Sequence, residues 1–322
     1  MPHVIRQNGV FLATFAFKFN KMVVYEDCPI CKSTSIKSHL PIKDYFLTQE
    51  DFEIFQCESC SFIFTRALES EENIGRYYKS EEYISHSDKK KGFFAVLYQY
   101  GRKYMLRKKY KSISRHQKLD KGKLLDIGSG TGHFIHFMQK KGWDVEGIEM
   151  DKSAREYSIR EFSLKVQDNK ALFSQEFEKK DVISLWHVLE HLYEPEKYMQ
   201  RILELLKEDG LLLIALPNAN SWDAKHYGKY WAAYDVPRHQ WHFTPKSFQH
   251  FIQKFDLELV KIRKMPLDAM YVSILSEKYK QNSLQSIRGI INGIRSNIHC
   301  LNNAGKSSSV IYFLQKKKHT AS

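Results

Sequence analysis

Residues 123–134, with the sequence KLLDIGSGTGHF, decide the fold of this chain. Their apolar first half predicts a buried strand, the glycine-rich part predicts a tight turn, and the residues from His133 predict the start of a helix. Gly128, Gly130 and Gly132 stand at every second position, so the backbone can pass close under a ligand because no Cβ stands in the way. The free N–H groups of the following helix point to the same place. The stretch therefore predicts a ligand-binding turn at the end of a strand.

The spacing of the glycines separates two kinds of site. Dinucleotide-binding folds carry the pattern G-x-G-x-x-G, which would place the third glycine at position 133, where this chain has His133. Here the pattern is G-x-G-x-G, and an acid, Asp126, precedes it at the end of the predicted strand. The turn thus departs from a dinucleotide site.

Length and composition fit one large or two modest globular domains. The chain has 322 residues, of which 43% are hydrophobic, enough for a substantial core. No run of 18 apolar residues occurs, which argues against a membrane-spanning helix. Residues 1–21 lack a small-residue cleavage site, so we interpret them as a disordered tail or an upstream extension and expect a cytoplasmic location.

The positive charge is concentrated in one segment. The formal net charge is +13, and between Lys89 and Lys123 there are 13 Lys and Arg residues against one acid, Asp120. Apolar residues alternate with these charges, so we predict a basic amphipathic helix from Phe93 to about Gln117. Nucleic acid, an anionic membrane surface or a phosphorylated substrate would suit this helix, and so would an ordinary solvated face. The apolar residues that define the pattern are Phe93, Val96, Leu97, Tyr100, Tyr104 and Tyr110.

Four of the five cysteines form two C-x-x-C pairs, Cys28 with Cys31 and Cys57 with Cys60. Without a secretory signal, thiolates at this spacing favour a metal site over disulfides. Two such knuckles can supply the tetrahedral sulfur cage that Zn²⁺ prefers. We therefore predict a structural zinc site in a zinc-ribbon domain over residues 22–66.

Strands and helices alternate after the glycine turn. This order predicts an α/β fold with a Rossmann-like, doubly wound parallel sheet, in a domain over residues 119–322. Residues 67–118, a tyrosine-rich connector and the basic helix, would link this domain to the ribbon. A helical stretch at about 272–298 would be an insertion. The strands predicted after the first lie at 144–148, 164–166, 182–185, 211–216, 257–264 and 309–314.

Two acids lie where the predicted strands end. Glu149 lies at the tip of the second strand, where a carboxylate can accept hydrogen bonds from both hydroxyls of a ribose. Asp168 follows the third strand and could bind an adenine amino group, with Asn169 as the alternative.

A third group of polar residues follows the fourth strand in the sequence WHVLEH, residues 186–191. His187, Glu190 and His191 are three and four positions apart, so on a helical turn they share one face. Such a cluster could deprotonate an acceptor or hold a metal. For Glu190 and His191 the alternative is a pair that caps a helix and ties the strands together.

A long loop after the fifth strand would cover the acceptor side of the pocket, because ligands bind at the carboxyl ends of parallel strands. In this loop Trp231 could stack on a ring, Arg238 could pair with a phosphate or carboxylate, and His239 could act as a base. Trp241 and His242 are expected to pack the loop against the core.

Together the motifs CPIC, CESC, LLDIGSGTG, VEGIEMD, WHVLEH, LPN and VPRHQWHFT resemble the bacterial class I S-adenosylmethionine (SAM) methyltransferases with an N-terminal zinc ribbon. The resemblance implies SAM as cofactor, a structural Zn²⁺ and an antiparallel last strand. The residues that it implies for SAM binding are Asp126, Gly128, Ser129, Gly130, Thr131, Gly132, Glu149, Met150, Asp168 and Trp186.

Two groups of relatives refine this resemblance. Quinone-pathway O-methyltransferases have E-x-x-E-H where this chain begins with His187, which argues against a carboxylate-rich metal site. Sugar C-methyltransferases also carry a zinc module and a tyrosine-rich connector. By that likeness Tyr78 or Tyr83 would fold over the SAM site.

We therefore predict methyl transfer to a small-molecule acceptor such as a sugar, a glycan precursor or a lipid-linked intermediate, with phosphorylated and nucleotide-linked molecules as candidates. His187 or His239 would be the base, beside Glu190 and His191. An RNA methyltransferase is the alternative, although nucleic acid is disfavoured because no N-P-P-Y-like motif follows the fourth strand. A non-catalytic SAM-fold interaction module is the third hypothesis, and the intact glycine turn argues against it. The sequence leaves open the acceptor atom, the oligomeric state and any contact of the basic helix with an anionic membrane.

Overall fold

The computed structural model describes residues 22–78, 93–117 and 119–318, without the side chains of 93–98. The interpretation of residues 1–21 and the prediction for Tyr83 fall outside these ranges. The strands in the described part are β1 (Met22–Val24), β2 (Ile36–Lys43), β3 (Asp51–Cys57), β4 (Ile63–Thr65), β5 (Ala67–Glu69), β6 (Lys123–Ile127), β7 (Asp144–Ile148), β8 (Lys165–Gln167), β9 (Lys180–Trp186), β10 (Leu206–Pro217), β11 (Trp241–His242), β12 (Leu257–Lys264) and β13 (Ser309–Lys316). The α-helices in the same part are α1 (Phe93–Gln117), α2 (His133–Gln139), α3 (Lys152–Phe162), α4 (Asn169–Ser174), α5 (Pro195–Leu205), α6 (Trp222–Tyr227), α7 (Pro245–Ile252), α8 (Pro266–Tyr279) and α9 (Gln285–His299).

The large sheet has the strand order β12-β13-β10-β9-β6-β7-β8. Its central pairs, β6 with β7 and β9, and β9 with β10, are parallel, whereas β13 runs antiparallel to both of its neighbours. The central strands are apolar on both faces because helices cover both sides of a parallel sheet. The predicted Rossmann-like fold with an antiparallel last strand is confirmed. The carboxyl ends of β6, β7 and β9 lie side by side, which places the glycine turn, Glu149 and Trp186 along one edge.

A second, four-stranded sheet has the order β11-β4-β3-β2. Three of its strands come from the cysteine-bearing segment, but β11 comes from the loop after β10 and pairs with β4 through Trp241 opposite Phe64. Trp241, Phe62, Phe64 and Phe243 belong to one buried cluster that continues into the core of the large sheet. The segment with the four cysteines, residues 22–66, is hereafter the cysteine module. It is joined to the long loop after β10 by strand pairing and by aromatic packing.

The basic helix is confirmed as α1, but its predicted apolar pattern is only partly right. Tyr100 and Tyr104 are exposed, and the helix packs on the sheet through the predicted Tyr110 together with Met105, Leu106 and Ile113. Tyrosine tolerates water because its hydroxyl is polar, so the aliphatic residues decide which face is buried. The exposed face of the described helix carries Lys103, Arg107, Lys108, Lys111 and Arg115.

The predicted helical insertion is a hairpin of α8 and α9. A Cβ atom at Gly289 would lie 2.4 Å from the Cα of Ile274, and one at Gly293 would lie 2.6 Å from the Cα of Met270. The two backbones approach this closely because α9 presents glycines to α8. None of the helices in the described residues combines the length and the apolar character that crossing a bilayer requires.

Candidate functional site

The glycine turn leaves one side open. The φ angles of Gly128, Gly130 and Gly132 are 74°, 54° and 77°, a region that side chains with a Cβ rarely adopt. A Cβ at Gly128 would lie 2.3 Å from Val188, and one at Gly132 would lie 2.7 Å from Leu164. At Gly130, by contrast, no other described atom lies within 4 Å of that position. The two outer glycines are needed for packing, and Gly130 faces the space that a ligand can enter.

Glu149 reaches over this turn, as predicted from its place at the end of β7. One carboxylate oxygen accepts a hydrogen bond from the Gly130 N–H at 2.6 Å, and the other accepts one from the Asp151 N–H at 2.8 Å. Burial raises the pKa of Glu149, and these two N–H groups partly oppose that effect. The next residue, Met150, is 57% exposed. The structure thus brings Glu149 to the turn, and its role in binding stays a prediction.

The other predicted cofactor residues on this side have mixed surroundings. Asp168 is exposed and caps α4, because its carboxylate accepts a hydrogen bond from the Ala171 N–H at 3.1 Å. Ser129 is buried, and its hydroxyl has no hydrogen-bond partner among the described residues. Thr131 is half-buried in the turn. The cap explains the acid at position 168 without a ligand, so its contact with an adenine stays a prediction.

Asp126 is buried at the end of β6, where it accepts a hydrogen bond from the Ser184 hydroxyl at 2.6 Å. The Lys109 ammonium from α1 lies nearby, 3.7 Å from the centre of one ring of Trp186. Burial raises the pKa of Asp126 and lowers that of Lys109, and the charge of each opposes the shift of the other. Sequence reasoning counted Lys109 among surface charges. Lys109 follows Met105 by four residues, and Met105 lies on the buried face of α1. The helical spacing could therefore have indicated that Lys109 faces the sheet.

His187 lies between two carboxylates. Its Nδ1 is 3.3 Å from Glu190, and its Nε2 is 3.0 Å from Asp268 on α8. Burial alone would lower the pKa of His187, but the hydrogen bonds and charges of Asp268 and Glu190 outweigh it and raise the pKa to about 10. A protonated ring with both nitrogens engaged is a poor proton acceptor. The geometry therefore favours a positioning role for His187 over the predicted role as base. Asp268 was missed because only the fold brings α8 to this point.

Glu190, His191 and His239 form a compact cluster, hereafter the EHH cluster. One ligand atom from each lies within 4.8 Å of the other two, so the three could hold a metal ion. Glu190 is fully buried, and its Oε2 has no hydrogen-bond partner among the described residues. The imidazole rings of His191 and His239 meet edge to face at 4.5 Å. With His187 on the other side of Glu190, the structure thus brings together all four predicted catalytic residues and leaves one Glu190 oxygen unsatisfied.

The two histidines have different hydrogen-bond partners. His239 Nδ1 lies 2.8 Å from the Ala233 carbonyl oxygen, to which it donates, and His239 Nε2 lies 4.0 Å from a carboxylate oxygen of Asp235. His191 Nδ1 lies 3.0 Å from the Arg238 carbonyl and 3.1 Å from the Tyr78 hydroxyl. Burial lowers the pKa of His191 to about 4, with His239 adding to the effect. His191 is neutral near pH 7. Tyr78, predicted to fold over the SAM site, reaches this cluster.

Two predictions for the long loop are wrong. Arg238 is 1% exposed and donates to Asp44 at 2.8 Å and to Asp235 at 2.7 Å, so it does not face a substrate. Trp231 is also buried, and its indole N–H donates to Asp223 at 2.9 Å. Arg238 thus pairs with the buried Asp44 and with Asp235 of its own loop, and Trp231 satisfies the buried Asp223. The predictions for Trp241 and His242 are confirmed, since both are buried in β11.

The four predicted metal-binding cysteines converge. Their Sγ atoms lie within 4.8 Å of one another, with 3.6 Å between Cys28 and Cys60 and 3.5 Å between Cys31 and Cys57. A tetrahedral zinc site with Zn–S bonds of about 2.3 Å has sulfurs roughly 3.8 Å apart. The donor set and the spacing both fit Zn²⁺.

The two knuckles have the same backbone. In each, the N–H of the second cysteine points at the sulfur of the first at 3.5 Å, in Cys28–Cys31 and in Cys57–Cys60. The residue after each second cysteine, Lys32 or Ser61, is left-handed with φ of 59° or 62°. N–H groups directed at sulfur stabilise thiolates, which a metal site requires.

Comparisons with known proteins agree with this fold. The methyltransferase domain family matches residues 98–262. Similar curated proteins include the ubiquinone biosynthesis O-methyltransferases of Cupriavidus pinatubonensis, 27% identical over 46% of this chain and 66% of the relative, and of Pelagibacter ubique, 28% identical over 59% and 81%. This chain spans only 46% to 66% of the length of the first three curated relatives.

Among solved structures, magnesium protoporphyrin IX methyltransferase from Synechocystis PCC 6803 aligns with 77% of this chain and 100% of its own. Its TM-score is 0.51 at 10% identity, and its crystal structure contains SAH. A putative sarcosine dimethylglycine methyltransferase from Galdieria sulphuraria aligns with 67% of this chain and 88% of its own, with a TM-score of 0.50 at 15% identity. At these identities the likeness shows the fold alone.

Proposed function

The chain belongs to the methyltransferase domain family, with the fold of the class I SAM methyltransferases, and we propose that it transfers a methyl group from SAM to a hydroxyl oxygen of a small molecule. One observation carries this proposal. The glycine turn with Glu149 and the EHH cluster follow the carboxyl ends of strands in the same parallel sheet. Cofactor and acceptor would thus meet at one edge.

The cofactor side fits SAM. Gly130 leaves open space beside the turn, and Glu149 offers carboxylate oxygens to the ribose hydroxyls. The Trp186 indole N–H is buried without a partner among the described residues, so a donor is available at the end of β9. SAM itself supplies a methyl group on a positively charged sulfonium, and the neutral thioether that remains is the leaving group. The residues here bind, align and exclude water.

The EHH cluster would activate the acceptor. We assign the base to His239 through its Nε2, because its Nδ1 is engaged by the Ala233 carbonyl, and the unsatisfied Glu190 oxygen would hold the acceptor hydroxyl or a proton. His187, fixed by Asp268, would orient Glu190. Two imidazoles and a carboxylate also suit a divalent cation, which would lower the pKa of a bound hydroxyl.

We propose that Zn²⁺ at the four cysteines serves this site through β4. The Thr65 hydroxyl at the end of β4 donates to the His239 carbonyl at 3.1 Å, and the Thr65 N–H donates to the Gln240 carbonyl at 2.9 Å. The metal would therefore hold the strand that fixes the backbone of His239. Its role is structural.

The acceptors that we propose form a narrower class than methyl transfer from SAM by itself requires. The names of the curated relatives favour O-methylation of a small molecule. A sugar, a glycan precursor and a lipid-linked intermediate remain the acceptors that we propose. The exposed basic face of α1 supports RNA as the second candidate.

Calorimetry with SAM and transfer of a radiolabelled methyl group test the proposal. The full chain is titrated with SAM and then incubated with labelled SAM and panels of phenolic, sugar and lipid-linked hydroxyl compounds, with RNA as a separate arm. We expect micromolar SAM binding and label in a small-molecule ether. The absence of SAM binding would support a non-catalytic module. Label in RNA alone would support the second candidate.

A further inference from the structure

Helix α9 exposes its large aliphatic side chains, whereas its buried residues are small or uncharged polar ones. Along one face of this helix and its ends, seven large aliphatic residues are 44% to 68% exposed. The opposite face is buried against α8 and α6 and consists of small or polar residues. This is the reverse of a helix that packs on a core. The exposed residues are Leu284, Ile287, Ile290, Ile291, Ile294, Ile298 and Leu301.

Polar anchors fix this orientation. The Asn292 amide donates to Glu277 at 2.9 Å, and the Ser296 hydroxyl donates to Asp223 at 2.8 Å. Both acids are buried, so turning the helix would leave their oxygens without these donors. Gly289 and Gly293 also allow the close approach to α8 that larger residues would prevent. The isoleucines therefore cannot turn inward without breaking these contacts.

The charge around this face has one sign. From Lys278 to the end of the chain there is no Asp or Glu, and Arg288 and Arg295 are exposed on α9. At 100° per residue both arginines border the same edge of the apolar stripe. Two copies of this helix would bring these like charges together without a compensating acid. An anionic partner with an apolar interior satisfies both properties of the face.

We infer that α9 docks on the surface of an anionic lipid bilayer, with its isoleucine face in the acyl boundary and Arg288 and Arg295 at the headgroups. A helix with a broad apolar face and basic residues at its edge binds in this way. The inference concerns binding alone and does not depend on the proposed reaction. It assigns the contact to α9 and not to the basic helix α1.

Vesicle flotation of the full chain tests the inference. Vesicles of phosphatidylcholine with about one third phosphatidylglycerol are compared with vesicles of phosphatidylcholine alone. We expect flotation with the anionic vesicles, and at least about tenfold weaker binding for the double variant Ile291→Ser with Ile294→Ser, because two aliphatic side chains that would enter the acyl boundary are lost. Arg288→Gln with Arg295→Gln should remove most of the preference for anionic lipid.

Matched controls separate this contact from nonspecific hydrophobic binding to vesicles. Ile159→Ser and Val260→Ser remove aliphatic residues that are 47% and 42% exposed on other elements, and both should float like the original chain. The inference is overturned if the original chain stays unbound, or if the controls weaken binding as much as the α9 variant. It is also overturned if Lys108→Gln with Lys111→Gln abolishes flotation while the α9 variant floats normally. A dimer in sedimentation that the α9 variant dissociates would assign the face to a second copy instead.

Discussion

Arg238 and Asp44 form an ion pair at 2.8 Å in which both side chains are almost completely buried. Arg238 belongs to the loop that carries His239, and Asp44 follows β2 in the cysteine module. The other Asp44 oxygen accepts hydrogen bonds from the Thr48 N–H and hydroxyl at 2.9 Å each, so the acid is held firmly on its own side. The pair thus fixes the loop to the module beside the EHH cluster.

Replacing Asp44 by Asn should lower the free energy of unfolding by roughly 3 kcal/mol, because a buried guanidinium loses one of its two carboxylates. Guanidinium denaturation measures the change. Glu58→Gln is the matched control, since it breaks an exposed pair with Lys37 and should change the free energy of unfolding much less than Asp44→Asn does. Equal effects of the two variants would contradict a stabilising role for the buried pair.

The cysteine module should contain one zinc ion per chain, which elemental analysis of the purified protein measures. Cys60→Ser should lose the metal and the thermal transition of the module, because zinc affinity supplies its folding energy. Cys300→Ser removes a buried thiol outside the cluster and should retain a full complement of zinc. Retention of zinc by Cys60→Ser would refute the site.

Glu149→Gln should weaken SAM binding by about tenfold, since a carboxylate accepts stronger hydrogen bonds from the ribose hydroxyls than an amide does. Isothermal calorimetry measures the dissociation constant. Glu156→Gln changes an exposed acid on α3 and should bind SAM like the original chain. An unchanged affinity for Glu149→Gln would remove this residue from the cofactor site.

His239→Gln should lower kcat by about 10²-fold or more, with SAM affinity unchanged, if its Nε2 takes the acceptor proton. Single-turnover kinetics with labelled SAM measure the chemical step. Treatment with a chelator that leaves the four-cysteine zinc in place distinguishes the two uses of the cluster. Activity that survives supports a direct base, and activity that a divalent cation restores supports a metal at the EHH cluster. Normal turnover by His239→Gln would exclude both.

Asp126 should make stability depend on pH. Burial raises its pKa to about 7, so the folded chain binds this proton more tightly than the unfolded chain does. The resulting stabilisation is complete below about pH 4 and is lost as the pH rises through about 7. Asp126→Asn should remove this loss, so its free energy of unfolding relative to the original chain should rise by roughly 1–3 kcal/mol between pH 4 and 7. Denaturation without SAM at several pH values measures it.

The control for this pH effect is Asp120→Asn, which removes an exposed carboxylate and leaves Asp126 in place, so the loss of stability that Asp126 causes with rising pH should persist. A difference between Asp126→Asn and the original chain that stays constant with pH would show that Asp126 does not titrate differently on folding.

Local signals account for what the sequence predicted well. The buried strands, the glycine turn and the two cysteine knuckles each depend on residues close together in the chain, so pattern and spacing identify them. Glu149 was found for the same reason, because an acid at a strand end has a defined direction. A structural element can therefore be predicted from sequence when the residues that determine it are close together in the chain.

The errors and the omissions arose where the fold joins distant residues. Arg238 was expected to face a substrate because nothing near it in the chain suggested Asp44 as a partner. The contact of His187 with Asp268 depends on how α8 returns to the sheet edge. The buried face of α1 is set by packing on the sheet, which favours Met105 and Ile113 over Tyr104. Long-range geometry decides each of these cases.

The sheet of the cysteine module takes its edge strand, β11, from a much later part of the chain. During synthesis the module can form β2 to β4 long before Trp241 leaves the ribosome. Until then one edge of β4 has unpaired backbone groups, and such an edge can pair with a foreign strand. A chain that stalls before residue 241 would therefore expose the unpaired edge of β4 to other chains. When Trp241 and His242 are added, β11 pairs with that edge and at the same time completes the packing behind His239.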